Sequence, residues 1–470
     1  MVGPHRLPCD QPVPAATDQA TRATRWVLPA TVLGSSMGFI DGSVVNVALP
    51  AIQSDFGAGL AAVQWVVTGY MLTLGALILI GGAMSDRLGR RRVFIWGLAS
   101  FALASLGCAV APNETLLIAA RLVQGAAAAL LTPASLAIIS AAYTGEARGA
   151  AIGTWAAAGA VTTALGPPLG GWLVDVAGWR AIFLINLPIA AIALLLARGV
   201  PADRGRSDDA PIDWAGAALA IAALGALSYG LIAFGNGAHA TGSIALLGAL
   251  PLIGLLLWVE RRATAPMMPL GLFTSRTFSG ANLLTVLLYA GLSAGLFVLP
   301  FALIRELGFS ATAAGAGFLP FSIVMGAGST LAGKLGQRIG ARTMLIAGPA
   351  VTAAGFALLA WSSGMTSYWT GYLPGLLIVA IGMTITVAPL TTIVFDAVPD
   401  EADGTASGIN NAAARVGGLL AVAALGIAFG ADAESNVASG YRLVMLAAAV
   451  LAATSALVAA LTIPSKQVKP

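Results

Sequence analysis

Asp41 and Arg121 are charged residues that lie within long apolar runs of this 470-residue chain. A charge inside a membrane is costly, so such a residue faces a partner or an aqueous cavity and marks a functional site by default. Counting along the two predicted spans places Asp41 about 10 Å and Arg121 about 9 Å from the same membrane face, at 1.5 Å per residue. We therefore expect the two side chains to share a cavity or to form an ion pair.

This pair has the composition of a proton-transfer site. Burial and a neighbouring arginine act in opposite directions on a carboxyl pKa. A change in water access, or in the distance to the arginine, would therefore let Asp41 bind or release a proton. Arg121 stays protonated and can only tune the acid. The alternative is a static ion pair that holds the first and fourth helices together.

The composition indicates a membrane protein with many spans. Hydrophobic residues make up 58% of the chain and charged residues 9%, against about 25% charged residues in soluble domains. The mean hydropathy is +0.88 and the isoelectric point is near 9.3. These values exclude a cytosolic enzyme, a disordered chain and a nucleic-acid binder. Cys9 and Cys108 provide neither a disulfide framework nor a metal site.

A membrane-spanning helix needs about 20 mostly apolar residues, and fourteen such spans are predicted. They cover residues 26–48, 61–83, 93–111, 115–138, 149–172, 180–198, 214–235, 242–259, 278–303, 312–333, 343–361, 370–393, 405–429 and 441–463. Lysine and arginine set the orientation, with 19 in the segments assigned to the inside and 3 in those assigned to the outside. Both termini are therefore expected in the cytoplasm, and no cleaved signal peptide is expected.

The sequence also contains an internal repeat. Residues 82–91 and 333–342 both have glycine-flanked basic patterns, 251 residues apart. Because both copies are basic, both should face the cytoplasm, so an even number of helices separates the two halves. The repeat predicts a cytoplasmic tail, a six-helix bundle, a linker with two additional transmembrane helices, a second six-helix bundle and a second tail. These five regions are residues 1–25, 26–198, 199–277, 278–463 and 464–470.

Five motifs carry a resemblance to a known family. They are Gly82–Arg91 (GAMSDRLGRR), Arg121–Gly125 (RLVQG), Gly159 with Gly166–Gly171 (GPPLGG), Asp41–Pro50 (DGSVVNVALP) and Trp179–Pro188 (WRAIFLINLP). In their order along the chain these motifs resemble those of the major facilitator superfamily, and in particular its fourteen-helix drug:proton antiporters.

The resemblance implies the major facilitator fold, an all-α polytopic membrane protein with two six-helix bundles and two central connecting helices. It implies proton-driven export of small, mostly amphipathic molecules, which gives multidrug efflux and antibiotic resistance. We expect no enzyme activity, no cofactor and no metal, with the transmembrane proton gradient as the energy source. A multi-pass protein of the bacterial inner membrane that functions as a monomer is expected. Its partners would be substrate, protons and the lipid bilayer.

Several polar and aromatic residues are predicted to line a substrate cavity: Asn46, Gln124, Gly125, Trp65, Tyr70 and Trp155. Gln124 would hydrogen-bond into the cavity, or else join neighbouring helices. The aromatic rings would stack on substrate, or else face lipid. Arg415, early in the thirteenth span, is expected to extend to the inner interface rather than to contact substrate. With Asp41 and Arg121 as the other charges inside spans, we expect neutral, zwitterionic or singly charged substrates and one proton per substrate.

The fifth span is predicted to form a movable seam between the bundles. Its prolines bend the helix and its glycines permit close approach of a neighbour. The seam residues are Gly159, Gly166, Pro167, Pro168, Gly170 and Gly171. The alternative is the ordinary packing glycine of membrane helices.

A latch is predicted at the cytoplasmic face. Its basic half is formed by Gly82, Asp86, Arg87, Gly89, Arg90 and Arg91. The acids opposite are Asp396, Asp400, Glu401 and Asp403, and Asp86 could also sit near the amino end of the thirteenth helix, where the dipole favours a carboxylate. The second copy has Gln337 and Ala341 where the first has Asp86 and Arg90, so the latch should be one-sided. The alternative is that the basic loops reflect topology alone.

Two other functions are open. One is the export of a single metabolite, siderophore or amino acid. The other is a non-transporting membrane receptor or scaffold on a transporter fold, which is disfavoured because a scaffold needs neither the Asp41–Arg121 pair nor the seam.

Overall fold

The computed structural model describes residues 16–203, 212–399, 402–429 and 437–465. The described residues form α-helices joined by short turns. The first nine are α1 Ala16–Phe56, α2 Leu60–Leu88, α3 Arg90–Ala109, α4 Glu114–Ala142, α5 Gly145–Ala177, α6 Ala181–Leu184, α7 Asn186–Ala197, α8 Trp214–Gly235 and α9 His239–Arg262. The others are α10 Arg276–Arg305, α11 Ala311–Ala316, α12 Leu319–Ile339, α13 Ala341–Trp361, α14 Leu373–Asp396, α15 Asp403–Phe429 and α16 Val437–Thr462. A 3₁₀ turn covers Leu270–Thr274 and a π-helical turn covers Tyr368–Tyr372.

Twelve stretches of the described residues are long and apolar enough to cross a membrane, so twelve of the fourteen predicted spans are supported by length and composition. The other two predicted spans are also helical. In α5, 33 residues long, glycine, threonine and proline dilute the apolar side chains. The last predicted span of the first bundle is divided at Ile185 into α6 and α7, and its apolar stretch Ala181–Ala197 is short.

Some of the helices begin at a side-chain cap. Asn113 accepts a hydrogen bond from the backbone N–H of Leu116 at 2.9 Å and begins α4. Ser275 accepts one from Phe278 at 3.2 Å and begins α10. Such caps satisfy backbone donors that the first helical turn leaves free.

The internal repeat of the sequence has a counterpart in the backbone. Gly89 ends α2 with φ +94° and ψ 127°, and Gly340 ends α12 with φ +93° and ψ 139°. Both values lie in a region that residues with a Cβ rarely adopt, so each copy of the loop needs glycine at this point. The two loops therefore share one turn geometry at the predicted offset.

Helices α1–α7 pack mainly with one another, and so do α10–α16. Contact between these halves is made mainly by α2 with α15 and by α5 with α11, and to a smaller extent by α1 with α10 and by α5 with α12. The linker helices α8 and α9 pair together, and α8 packs on α2 and α15. Asp213 caps α8, and the buried Glu260 at the end of α9 accepts a hydrogen bond from the N–H of Met268 at 3.0 Å.

The molecule has two ends, which we name by their charges. The basic end has the turn at Gly89, the turn at Gly340 and the start of α10. The opposite end has the turns after α1, α5 and α10. Residues 1–15, 204–211 and 466–470 of the predicted tails and linker lie outside the described residues.

Candidate functional site

The side chains of Asp41 and Arg121 are in direct contact inside the first half. An N–H of the Arg121 guanidinium donates to Asp41 Oδ2, and both side chains are almost fully buried. Gln124 Nε2 donates to the other carboxylate oxygen at 2.9 Å, and Gln124 Oε1 accepts from Arg121 Nη1 at 2.6 Å. Arg121, Gln124 and Asp41 thus form a closed ring of hydrogen bonds between α1 and α4. We call these three residues the charged cluster.

The surroundings of the charged cluster hold its parts in place. Arg121 Nε donates to the carbonyl of Val66 at 3.0 Å, and its guanidinium lies 4.3 Å from the ring centre of Tyr70. On the other side, Gln124 Nε2 also donates to Ser105 Oγ at 2.9 Å, and Asn186 Nδ2 donates to the same hydroxyl at 3.3 Å.

Ser105 is absent from the sequence-based prediction because a single serine in an apolar helix has no distinctive signal. Asn186 lies in one of the family motifs, although no role is predicted for it. Its side chain is fully buried, and its Oδ1 has no hydrogen-bond partner among the described residues.

The predicted cavity residues on α2 and α4 point into the first half. Tyr70 donates a hydrogen bond to the carbonyl of Gly38 at 3.3 Å and contacts Arg121. A Cβ at Gly125 would overlap the carbonyl of Tyr70, so Gly125 is a close-packing position. The two halves enclose a cavity between α2, α10, α14 and α15, and neither residue, nor Gln124, lines it. A neighbouring residue on a helix is turned by about 100°, and Met71, next to Tyr70, is the one that lines this cavity.

The remaining predicted cavity residues are also elsewhere. Trp155 donates from Nε1 to Ser35 Oγ at 2.9 Å and packs edge-on against Phe39, so it joins α5 to α1. Asn46 and Trp65 are half-buried and are not among the residues that line the cavity between the halves.

The cavity between the halves is formed by α2, α10, α14 and α15 and has a volume of about 350 Å³. We call it the central cavity. Its walls are Met71, Tyr289, Ser293, Val387, Thr391, Val394, Phe395, Ser407, Asn410, Asn411, Ala414 and Arg415. The expectation that Arg415 extends to the membrane interface is therefore wrong. The rotation of α15 is decided by its packing on α2, where the Cβ of Arg415 would lie 3.2 Å from one built on Gly75.

A second cavity of about 610 Å³ lies at the basic end, and we call it the basic-end cavity. It is lined by Asp86 and Arg87 from the first half, by Met267 from the linker and by Gly404 at the start of α15. Ser407 and Asn411 line both cavities, so the two adjoin. The central cavity is therefore approached from the basic end in this conformation.

At the opposite end the halves are closed by contact between α5 and α11, which we call the α5–α11 seal. A Cβ at Gly171 would overlap the carbonyl oxygen of Ala311, and one at Gly315 would overlap that of Pro167. The backbones of the two halves thus touch at the predicted seam.

The other seam glycines meet the first half only. A Cβ at Gly159 would meet Phe39, and one at Gly166 or Gly170 would overlap Ser43 or Val44 of α1. Pro168 lies beside Gly315 with Pro167.

Polar contacts add to the seal. Asp175 accepts hydrogen bonds from Thr312 N at 2.8 Å, Thr312 Oγ1 at 2.6 Å and Ala311 N at 3.2 Å, and so caps the first turn of α11 from the other half. Arg305 donates to Gln53 Oε1 at 2.8 Å, again across the halves. These residues are not found from the sequence because each is an ordinary polar residue near a helix end.

We expect Asp175→Asn to weaken the seal, because an amide replaces an acceptor that three donors face. Loss of one such cap costs about 1–2 kcal/mol, which corresponds to an increase of about 5- to 30-fold in the ratio of open to closed seal. Spin labels at Val176 and Ala316, both exposed, would report this as a larger share of long distances. Asp55→Asn is the matched control because Asp55 binds Arg180 and Trp179 of its own half. An unchanged distance distribution in Asp175→Asn would contradict the role of this cap.

The predicted latch residues are placed at the basic end, where they pair with residues of their own half and with Asp203 of the linker. Arg90 Nε lies 4.0 Å from Asp86 Oδ1 and 3.8 Å from Asp203 Oδ2. Arg91 donates to the carbonyl of Arg198 at 3.1 Å. Asp86 lines the basic-end cavity together with Gly82 and Gly404, the latter at the amino end of α15. Of the predicted opposing acids, Asp400 and Glu401 lie outside the described residues.

Several resistance and export proteins of bacteria are similar to this chain over most of its length. The Methylenomycin A resistance protein of Bacillus subtilis (strain 168) is 35% identical over 428 residues, which cover 90% of this chain and 91% of that protein. The multidrug resistance protein Stp of Mycobacterium tuberculosis is 36% identical and covers 85% of this chain and 74% of its own length. The Tetracenomycin C resistance and export protein of Streptomyces glaucescens is 33% identical, over 89% and 79%.

Solved structures share the fold at low sequence identity. The crystal structure of a D-xylose-proton symporter superposes with a TM-score of 0.70 at 15% identity, covering 95% of this chain and 99% of that one. A bacterial homologue of the lysosomal transporter Spinster gives a TM-score of 0.67 at 18% identity, covering 94% and 97%. The family description "Major Facilitator Superfamily" matches residues 31–422 and, in a second match, residues 281–470. The chain belongs to the Major Facilitator Superfamily.

Proposed function

We propose that this chain is a proton-coupled antiporter that exports small amphipathic drugs or antibiotic-like metabolites by alternating access. The observation that carries the proposal is the charged cluster, which buries a titratable carboxylate beside an arginine. A buried ion pair contributes little net stability, so retaining one inside a membrane favours a functional role. The names of the relatives, which include multidrug and antibiotic resistance proteins, support drug export.

In the proposed cycle the described conformation is the one that loads substrate. The α5–α11 seal closes the opposite end, and the adjoining cavities lead from the basic end to the middle of the molecule. The bias of lysine and arginine supports a cytoplasmic position for the basic end and for both termini. Substrate would enter there, and opening of the seal would release it outside while Asp41 takes up a proton.

The full architecture belongs to the same proposal. We propose that α5 and the α6–α7 pair also cross the membrane, which gives fourteen crossings. Helix α5 is 33 residues long, or about 50 Å at 1.5 Å per residue, and it packs on α1 and on α11. Fourteen crossings also keep both loop copies on one side. A bacterial inner-membrane protein that functions as a monomer fits this arrangement.

Purified protein in liposomes would test the proposed function. A pH gradient with the acidic side at the releasing face should drive accumulation, above that in protein-free liposomes, of compounds from a panel that includes puromycin and tetracenomycin C, for which relatives are named. A pH-sensitive dye in the acidic compartment should show alkalinisation when substrate is added. Nigericin, which dissipates the pH gradient, should abolish both signals. Accumulation that survives nigericin, or that proceeds without proton movement, would contradict proton coupling.

Export of one dedicated compound is the second candidate. It is favoured by the relatives that are named for a single antibiotic, such as methylenomycin A, puromycin and tetracenomycin C. The same panel separates the two, because a dedicated exporter would accumulate one chemical scaffold.

A further inference from the structure

The central cavity has one charged side chain among the described residues of its wall, and that side chain is the cation Arg415. Arg415 has no hydrogen bond or ion pair with any residue in the part of the chain that the structure describes. It differs in this from Arg121, which is fully engaged with Asp41, Gln124 and Val66. A half-buried guanidinium without a counter-ion favours an anionic partner, because burial of an unpaired charge is costly.

The neighbours of Arg415 fit a ligand with one polar head. Asn410 donates to Asn282 Oδ1 at 3.2 Å and to Thr285 Oγ1 at 2.8 Å, so its amide is held in one orientation. Tyr289 and Ser293 add hydroxyl groups to the same wall. Both hydroxyls can donate to a carboxylate oxygen that Arg415 has already bound.

Four apolar side chains form the other main part of the wall, which also includes the polar residues Thr391, Ser407 and Asn411. Met71 of α2 and Val387, Val394 and Phe395 of α14 form this part of the wall. The volume of about 350 Å³ lies at the lower end of the range for small-molecule sites. An amphipathic molecule with one acidic group and a small hydrocarbon or aromatic body matches both parts.

We propose that the central cavity binds singly charged organic anions, with Arg415 pairing with the carboxylate of the substrate. This inference rests on the proposed export function and names its substrate class. Arg415 can bind a carboxylate through two parallel N–H donors, a geometry that a neutral amide or a cation cannot match. Dications are excluded as preferred substrates, since the described wall contains no acid.

The test compares two pairs of compounds that differ only in charge. The probes are 2-naphthoate with 2-naphthamide and 4-phenylbutyrate with 4-phenylbutyramide, measured at pH 7 as transport and as competition in liposomes. In the wild type we expect at least one carboxylate to bind about 10- to 100-fold more tightly than its amide, the range of one charge-assisted pair. Equal affinities in both pairs, or no interaction of either carboxylate, would overturn the proposal.

Variants of Arg415 then assign the preference to this side chain. Arg415→Gln should lower carboxylate affinity by about 10- to 100-fold and leave amide affinity within about twofold. Arg415→Lys should keep part of the preference because it keeps the charge but loses the planar fork. Arg442→Gln is the matched control, since Arg442 is exposed at the start of α16 at the opposite end. A carboxylate preference that persists in Arg415→Gln would overturn the assignment.

The same liposome measurements distinguish failure of the anion site from failure of the export function. Gradient-driven accumulation of neutral compounds without any carboxylate preference leaves the export function standing and refutes the anion site. Failure of every compound to accumulate refutes the export function itself. The wild-type comparison needs no variant, so misfolding of Arg415→Gln leaves the proposal open to refutation.

Discussion

Replacing Asp41 by asparagine is expected to abolish accumulation of substrate against a gradient and to leave substrate exchange across the membrane. Asparagine has nearly the shape of aspartate, and its carbonyl oxygen can still accept the hydrogen bond from Arg121. It has no titratable proton, so the energy of the proton gradient can no longer be used. The variant imitates the protonated carboxyl, a state that the proposed cycle must visit beside a charged Arg121.

The expected effect is large. For exchange of one proton per neutral substrate, each pH unit supports an accumulation ratio of about tenfold. A gradient of about two pH units should therefore give about 100-fold accumulation in the wild type and no accumulation in Asp41→Asn. Gradient-driven uptake of labelled tetracenomycin C, above that in protein-free liposomes, measures the first quantity. Exchange of labelled for unlabelled compound without a gradient measures the second.

A static ion pair would behave differently. Breaking a buried pair destabilises a protein by about 3–5 kcal/mol, so gradient-driven uptake, exchange and thermal stability should then fall together. Asp55→Asn is the matched control, because Asp55 lies in the same helix and pairs with Arg180 at the opposite end. Wild-type accumulation in Asp41→Asn would remove Asp41 as the coupling residue.

The contact between Asp41 and Arg121 could be predicted because it depends on depth alone. Counting residues from the ends of two spans is accurate to about one helical turn, and two opposite charges at one depth inside a membrane attract each other strongly. Gln124 lies on the same face of α4 as Arg121, since residues three apart in a helix do so, but its bonds to Arg121 and Asp41 were not predicted. The close approach of the fifth span to the other half was predicted on a different basis, from the glycines and prolines of that span.

The side of a helix that faces a cavity could not be predicted. Tyr70 and Met71 are adjacent in sequence, yet one contacts Arg121 and the other lines the central cavity. The choice depends on how α2 rotates against its neighbours, and all faces of a membrane helix are apolar. Arg415 was misplaced for the same reason, because its position along α15 was known and its direction was not.

Contacts between the halves at the opposite end were also beyond the sequence. Asp175 caps a helix of the other half, 136 residues away in the chain. Capping motifs can be recognised only when cap and helix are consecutive. In the sequence alone, Asp175 cannot be distinguished from an ordinary charge at the membrane interface, because the packing of α5 on α11 is not known.

Replacing Gly171 by alanine is expected to shift the α5–α11 seal strongly toward its open state. A single added methyl group would overlap the carbonyl oxygen of Ala311 in the other half. Overpacking of this kind costs about 1–3 kcal/mol, whereas alanine in place of glycine favours the helix itself by about 1 kcal/mol. The variant should therefore fold normally and disfavour the conformation in which the seal is closed.

A cost of this size changes the ratio of open to closed seal by about 5- to 150-fold. We expect spin labels at Val176 and Ala316 to shift to longer distances and transport to fall by a similar factor, because the cycle must pass through the closed seal. Thermal stability should change little, since the strain is relieved when the halves separate.

Gly170→Ala is the matched control for Gly171→Ala, because it adds the same methyl group one residue earlier in α5. There the new atom would overlap Val44 of α1, which belongs to the same half. That overlap persists in every arrangement of the two halves, so it should lower the thermal stability and leave the ratio of open to closed seal unchanged. If the two variants had the same effect on the distances, the contact of Gly171 with Ala311 would not be a movable one, and α5 would pack on α11 as a fixed interface throughout the cycle.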